Sequence, residues 1–430
     1  MKTKWNLFIA TIVTVISLTA NAKTITVDSY NVDKKKNVFS SIQDALDDGN
    51  IQPGDTIIVL PGKYEPFVVS RSGSSQAPIT IKSQTKQKAL IFGSMHLDGR
   101  FASIHIEADN IVINGFKVLA DGRRGQLERG IRISGTESSR IKNILVQNNL
   151  VKHAGFVGIS ASFADHVTIQ DNEVTNTIEQ HGVYIANSSD YPIVRNNFLH
   201  QNPYAGVHMN GDARLGGDGI ISNAIIENNL IIGNGFAGSA AINMDGVINS
   251  VVRNNLVFNN KTHGIALFQE DGAHGSINNY ILNNTIIMPP TSYHGLRIKN
   301  ESTGNYVINN IILHLGTHDS FAVNSDSMKG LFSDFNIVTR IQTTDGQCCI
   351  SLQEWQARHP SLDKHSKSVT DMSSLFANSQ PDEYNLDFEL SPSSPAIDSG
   401  MDLDKVTTDI LGRPRPLGKR TDIGAYERKP

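Results

Sequence analysis

Five residues suited to proton transfer and anion binding, Tyr184, His208, Asn210, Asn243 and Asp245, occupy matching places in three consecutive copies of one short phrase. His and Tyr take and give protons when their surroundings tune them. Asn amides or Arg can neutralise a carboxylate as charge develops on it. Together they meet the needs of an elimination beside a carboxylate: a neutraliser for that group, a base for the proton on the neighbouring carbon, and an acid for the leaving oxygen. On this reading His208 is the base, Tyr184 the acid, and Asn210 and Asn243 the neutralisers. Arg297 and Lys299 stand in the same register two copies further on. Either can be a base or can bind a substrate carboxylate, and the intervening Ala266 and Phe268 favour binding.

The phrase that sets these positions is a small residue, an apolar-x-apolar strand, a turn and an Asn pair. It recurs as Gly130-Ile-Arg-Ile133, Gly158-Ile-Ser160, Gly182-Val-Tyr-Ile185, Gly206-Val-His-Met209, Ala241-Ile-Asn-Met244, Gly264-Ile-Ala-Leu267 and Gly295-Leu-Arg-Ile298. The Asn marks are Asn148, Asp171, Asn196, Asn228, Asn254, Asn283 and Asn309, each followed by another Asn, at successive spacings of 23, 25, 32, 26, 29 and 26 residues. A period in this range marks a solenoid. Val and Ile alternating with period two, without helical spacing, make each repeat a coil of short strands. The fold class is therefore all-β, a parallel β-helix, in which equivalent positions stack ~4.8 Å apart. Apolar residues fill the bore, and the Asn column forms an amide ladder, Asn also tolerating left-handed backbone.

Stacking puts the middle residue of each phrase on an outer face. That column reads Arg132, Ser160, Tyr184, His208, Asn243, Ala266 and Arg297, and the next outward one Ser134, Ser162, Ala186, Asn210, Asp245, Phe268 and Lys299. Insertions in a solenoid collect on the working face. The two longest steps carry the Gly-rich loops 211–219, with Asp212, Arg214 and Asp218, and 269–275, with Glu270 and Asp271. They should wall one side of a groove, with 121–126 on the other. Arg132, Arg214, Arg297, Lys299, His181 and His263 are the candidate substrate-binding residues. Asp212, Asp218 and Asp271 are oxygen ligands suited to Ca²⁺, although no spacing here matches a defined calcium loop.

The chain opens with Lys2 and Lys4, an apolar run over residues 5–20 and Ala20-Asn-Ala22, the pattern of a cleaved secretory signal over 1–22. The mature chain, 23–430, reads as one solenoid domain, with regular repeats about 104–338 and a C-terminal cap about 345–430. The expected location is secreted or periplasmic, with no membrane contact after cleavage. Removing Lys2 and Lys4 takes the formal net charge from −4 to −6, which gives no support for nucleic-acid binding through bulk charge. Ser41 with Asp44 starts a short helix that Gly49 stops and that should plug the N-terminal mouth. Ser351 with Glu354 starts another around Trp355. The Pro- and Gly-rich stretch 391–427 should lie as a cap on the last coils. Cys348 and Cys349 are the only cysteines. Adjacent cysteines bridge only with strain, so a buried or free pair is the expectation and a vicinal disulfide the alternative.

The repeats, with Pro61-Gly-Lys-Tyr64, Ser394-Pro-Ala-Ile-Asp398 and Asp422-Ile-Gly-Ala-Tyr-Glu427, resemble the secreted right-handed β-helix proteins of the pectate-lyase-like superfamily. The resemblance covers nearly the whole mature chain and implies an acidic polysaccharide as partner. The activities it implies are polysaccharide lyase first, with glycoside hydrolase and C5-epimerase as alternatives. Asn243-Met-Asp245 and Arg297-Ile-Lys299 are similar to polygalacturonase motifs, but the coil between carries no carboxylate for the acid–base pair that inverting hydrolysis requires. A non-catalytic glycan-binding protein is the remaining alternative. It would present more aromatic platforms than Tyr184 and Phe268.

Overall fold

Alternation along each phrase translates directly into burial. In 183–186, Val183 and Ile185 are fully buried and Tyr184 lies between them on the outer face. The computed structural model describes residues 22–30, 38–343, 347–378, 380, 382 and 385–429. Of the expected leader 1–22, only Ala22 falls among them. Each coil contributes one strand to each of three long sheets, of 13, 12 and 13 strands, stacked almost wholly in parallel and in chain order. The bore between them is a continuous column of Ile, Val, Leu and Met. In the third sheet Arg132 lies opposite Ser160, then Tyr184, His208, Asn243, Ala266 and Arg297 in turn. The outward column read from the sequence is therefore the register of the fold.

Two devices hold that register. The first Asn or Asp of each pair has φ between 50° and 60°, turning the chain between the first and second sheets. The second Asn is buried and forms the ladder. From Asn149 to Asn336 each side-chain nitrogen donates to the oxygen of the Asn one coil on, at 2.9–3.1 Å. The same oxygen also accepts the backbone N–H of the previous Asn. The two properties that suit Asn are thus divided between the members of the pair. The second device is the small residue opening each phrase. A Cβ on Gly130, Gly158, Gly206, Gly264 or Gly295 would run into Val151, Val174, Ile231, Ile286 or Ile312 of the second sheet. Glycine stands there for close approach across the bore.

At the N-terminal end, helix Ile42–Asp47 is capped by Ser41, buries Ile42, Ala45 and Leu46, and packs on the first strands. Helix Leu352–Arg358 carries a full capping box from Ser351 and Glu354 and buries Trp355 against Phe321. The tail differs from the expected end cap. It runs back along the outside of the second sheet, where Leu375, Phe388, Ile423 and Ala425 cover Ile287, Ile311, Leu313 and Ile337. Asn283 and Asn309 donate to the tail carbonyls of Asp422 and Met401. The second sheet's outer face is apolar in these coils, so a cover there buries more surface than an end cap would. Cys348 and Cys349 are joined in a vicinal disulfide beside the Thr317 carbonyl, which corrects the expectation of an unbridged pair.

Candidate active site

The outer face of the third sheet holds a trough of about 540 Å³, whose lining includes His208, Asn243, His263, Arg297 and Lys299. Glu270 and Asp271 of loop 269–275 form one wall. Asp245 fastens that loop: its carboxylate accepts the backbone N–H groups of Glu270, Asp271 and Gly272 at 2.8, 2.8 and 3.1 Å. Loop 211–219 is fastened to it by Arg214, which bonds the carboxylates of Asp212 and Asp271. The two loops therefore meet, but of the two only 269–275 lines the trough. Loop 121–126 does not line the trough; it is tied to Glu128 and Glu179, and Gln180, Tyr204 and Ser239 line the trough instead.

His208 is set by a chain of hydrogen bonds that begins in the backbone. Ala205 N–H donates to His181 Nδ1 at 3.1 Å, so the neutral His181 ring carries its proton on Nε2. That nitrogen lies 2.8 Å from His208 Nδ1 and donates to it. His208 then carries its own proton on Nε2, 3.4 Å from Asn243 Nδ2, itself a donor, so in this tautomer the two do not hydrogen-bond each other. Burial holds His208 down to about 4 and His181 well below its ordinary value, so both are neutral at neutral pH. A ring held down to about 4 is a weak base, which counts against the base role assigned to His208 from the sequence. Tyr184 stacks beside His181 and receives a hydrogen bond from Asn210 at 3.2 Å. Burial raises its pKa and keeps it protonated, but it is not part of the trough lining.

Arg297 is positioned by groups that the sequence did not single out. The buried Asp319 carboxylate accepts from His294 Nδ1 at 2.8 Å, which leaves His294 Nε2 to accept from Arg297 at 3.2 Å. His294 stacks on His263, 5.0 Å between ring centres. Burial, followed by the neighbouring His294, Arg297 and Lys299, lowers His263 to about 3. Lys299, over the Phe268 ring, has its pKa lowered by burial and then by Arg297. One pattern could have revealed His294: His181, His263 and His294 each precede the glycine of a phrase. Asp319 holds the equivalent place one coil on, but there Ser320 replaces the glycine, so it carried no such mark.

The carboxylates proposed for Ca²⁺ do not fit it. Arg214 bridges Asp212 and Asp271, placing a guanidinium where a cation would sit. Asp218 caps the backbone of Ile220. Among the described residues, the one group with ligand spacing is Asp319 with Cys348 and Cys349, whose sulfurs are bonded to each other. Arg132 lies outside the trough, three coil steps from His208.

The family model described as right handed beta helix region matches residues 129–314. No curated protein sequence matches the chain. Among solved structures it is similar to the pectate lyase Pel9A, at 15% identity and TM-score 0.56, covering 95% of this chain and 98% of that one. It is similar to XylC in complex with xylose at 11% and 0.56, covering 95% and 99%. A glycoside hydrolase matches at 10% and 0.56, covering 76% and 95%. The chain is a right-handed parallel β-helix, as its repeats indicated. At these identities the likeness is one of fold.

Proposed function

We propose that the protein is an exported polysaccharide lyase that cleaves a uronate-containing polymer by β-elimination. The observation that carries this reading is the pairing in one trough of an arginine held by a buried His–Asp pair with a lysine whose ammonium form is disfavoured. Arg297 binds the uronate carboxylate and makes the C5 proton acidic. Neutral Lys299 takes that proton. The electron pair becomes the C4–C5 double bond, the C4–O bond breaks, and the leaving oxygen takes its proton from the ammonium just formed. His208 and Asn243, three and two coil steps from Arg297, donate hydrogen bonds to a neighbouring sugar. The activities carried by structures of the same fold, a pectate lyase and a glycoside hydrolase, support a carbohydrate polymer as substrate. Hydrolysis is disfavoured because Asp245 is engaged by three backbone N–H groups and the trough's other carboxylates, Glu270 and Asp271, share one wall.

Elimination leaves a double bond conjugated to the carboxylate. Incubation with alginate, pectate, hyaluronan and chondroitin should give rising ultraviolet absorbance with one of them. Lys299→Ala should lower that rate by about 10²- to 10⁴-fold. Rising absorbance unaffected by Lys299→Ala overturns the assignment of the base. New reducing ends without absorbance would mean hydrolysis. Exchange of the C5 proton without cleavage would mean epimerisation.

A further inference from the structure

The same face of the third sheet holds a second depression, of about 490 Å³, toward its N-terminal end. Its floor is made by His105 and Arg132, directly opposite one another in strands Arg100–Ile106 and Arg129–Ser134. Leu215 of loop 211–219 contributes to the wall. His105 is only 2% exposed and Arg132 7%. Neither ring nitrogen of His105 has a hydrogen-bond partner among the described residues, and neither has Arg132 Nη1. Arg132 Nη2 donates to Ser134 Oγ at 3.2 Å. A buried polar atom without a partner costs folding free energy that a ligand's hydrogen bond would recover. Three of them converging on one cavity mark a place built for a ligand.

The chemistry of the pocket defines that ligand. Burial, then the neighbouring Arg132, holds His105 down at about 4, so at neutral pH it offers one donor and one acceptor. Arg132 offers a cation at its floor, while Arg100, Asp98 and Glu107 line the same depression. A carboxylate against Arg132, with hydroxyls against His105 and Glu107, would satisfy this mixed set. A sugar acid carries both kinds of group.

The depression and the trough lie on one face of the third sheet, with no lining residue in common. Ser162 and Asn187 line the first and Asn210 the second, and Ser162, Ala186 and Asn210 are neighbours in register. Between them lie Ala186 in this column and Ser160 and Tyr184 in the adjoining one. Loop 211–219 links the two: Arg214 ties it to Asp271 of the trough wall, while Leu215 flanks the depression and Gly217 N–H donates to Glu137 at 2.9 Å. Six coil steps separate Arg132 from Arg297, ~29 Å at ~4.8 Å per coil.

We propose that the Arg132–His105 depression is a second subsite for a uronate residue of the same chain whose scissile unit lies at Arg297. It makes the enzyme prefer long substrates. This rests on the trough taking an acidic polysaccharide. Occupying both sites makes the second contact intramolecular, so chains long enough to span them gain affinity that shorter ones lack.

The test compares Arg132→Gln and His105→Asn with the unmodified full chain, each checked by thermal unfolding for an intact fold. The readout is the ratio of kcat/KM on a uronate octamer to that on a trimer. The ratio should fall about 10- to 100-fold in Arg132→Gln, the worth of a charge-assisted hydrogen bond. It should recover in part in Arg132→Lys. An unchanged ratio in folded Arg132→Gln overturns the proposal. Electrophoresis through gels containing the acidic polymer provides a readout independent of turnover. Arg132→Gln should be retarded less than the unmodified protein, while a neutral polysaccharide should treat both alike. If no polymer is turned over but this difference holds, the lyase reading fails and the subsite stands. Equal retardation by the acidic polymer removes the subsite.

Discussion

At the scale of single residues, the site depends on rings kept neutral by burial. His208 titrates at about 4 and His263 at about 3 in the folded chain, against ~6.5 for an unfolded His. Above ~6.5 both states are neutral and these rings make stability independent of pH. As pH falls, the unfolded chain binds protons that the folded one refuses. Stability is lost from ~6.5 down to about 4 for His208 and about 3 for His263, with a limiting slope of about 1.4 kcal/mol per pH unit for each. Urea unfolding at pH 7, 6, 5 and 4 should show that decline, and His208→Asn should flatten it. Activity should run the other way. Because burial and Arg297 lower the Lys299 pKa, the rate should rise with pH and level off below the range of an ordinary lysine. A pH–rate profile levelling only at the value of free lysine would detach Lys299 from the proton transfer. Asp319→Ala should loosen His294 and with it Arg297, raising KM about tenfold on acidic substrate while leaving the position of the pH limb unchanged.

At the scale of the coil, two substitutions probe what sets the register. Asn255→Ala removes a side chain that donates to Asn284 at 3.0 Å and to the Ile226 carbonyl at 2.9 Å, and it strands the backbone N–H of Asn229. The cost should be about 2–4 kcal/mol by denaturant unfolding. Hydrogen exchange should open in the two neighbouring coils first, because each coil contacts only its neighbours. Gly158→Ala puts a methyl group against Val174 and should cost about 1–3 kcal/mol through overpacking. Ala241 occupies the equivalent place one coil past Gly206, and no glycine conformation is required there. These elements were legible in the sequence because a fixed period and an alternation of two leave a strand only one way to bury its apolar side. The division of labour within the Asn pair was not legible. Both members are the same residue type, and only the left-handed backbone at the first separates them.

At the scale of the molecule, the C-terminal tail acts as a strap on the second sheet, locked by the buried Arg415–Glu427 ion pair at 2.7 Å. Ending the chain after Ser368 would expose the row of Ile287, Ile311, Leu313 and Ile337. An apolar face of that kind should drive self-association, seen as higher-order species in light scattering at concentrations where the full chain gives none.

By itself, the sequence determined the solenoid, the outward column from Arg132 to Arg297 and the pairing of the two loops on one edge, because repetition and period-two burial dictate all three. Only the tertiary structure decided which of those residues are free to react. Asp245 is taken by the backbone of 270–272, Asp212 and Asp271 by Arg214, and His208 Nδ1 by His181, while Arg297 receives its orientation from His294 and Asp319. Each of these partners comes from a neighbouring coil or an aperiodic loop. Hydrogen bonding there follows from local geometry that no repeat encodes.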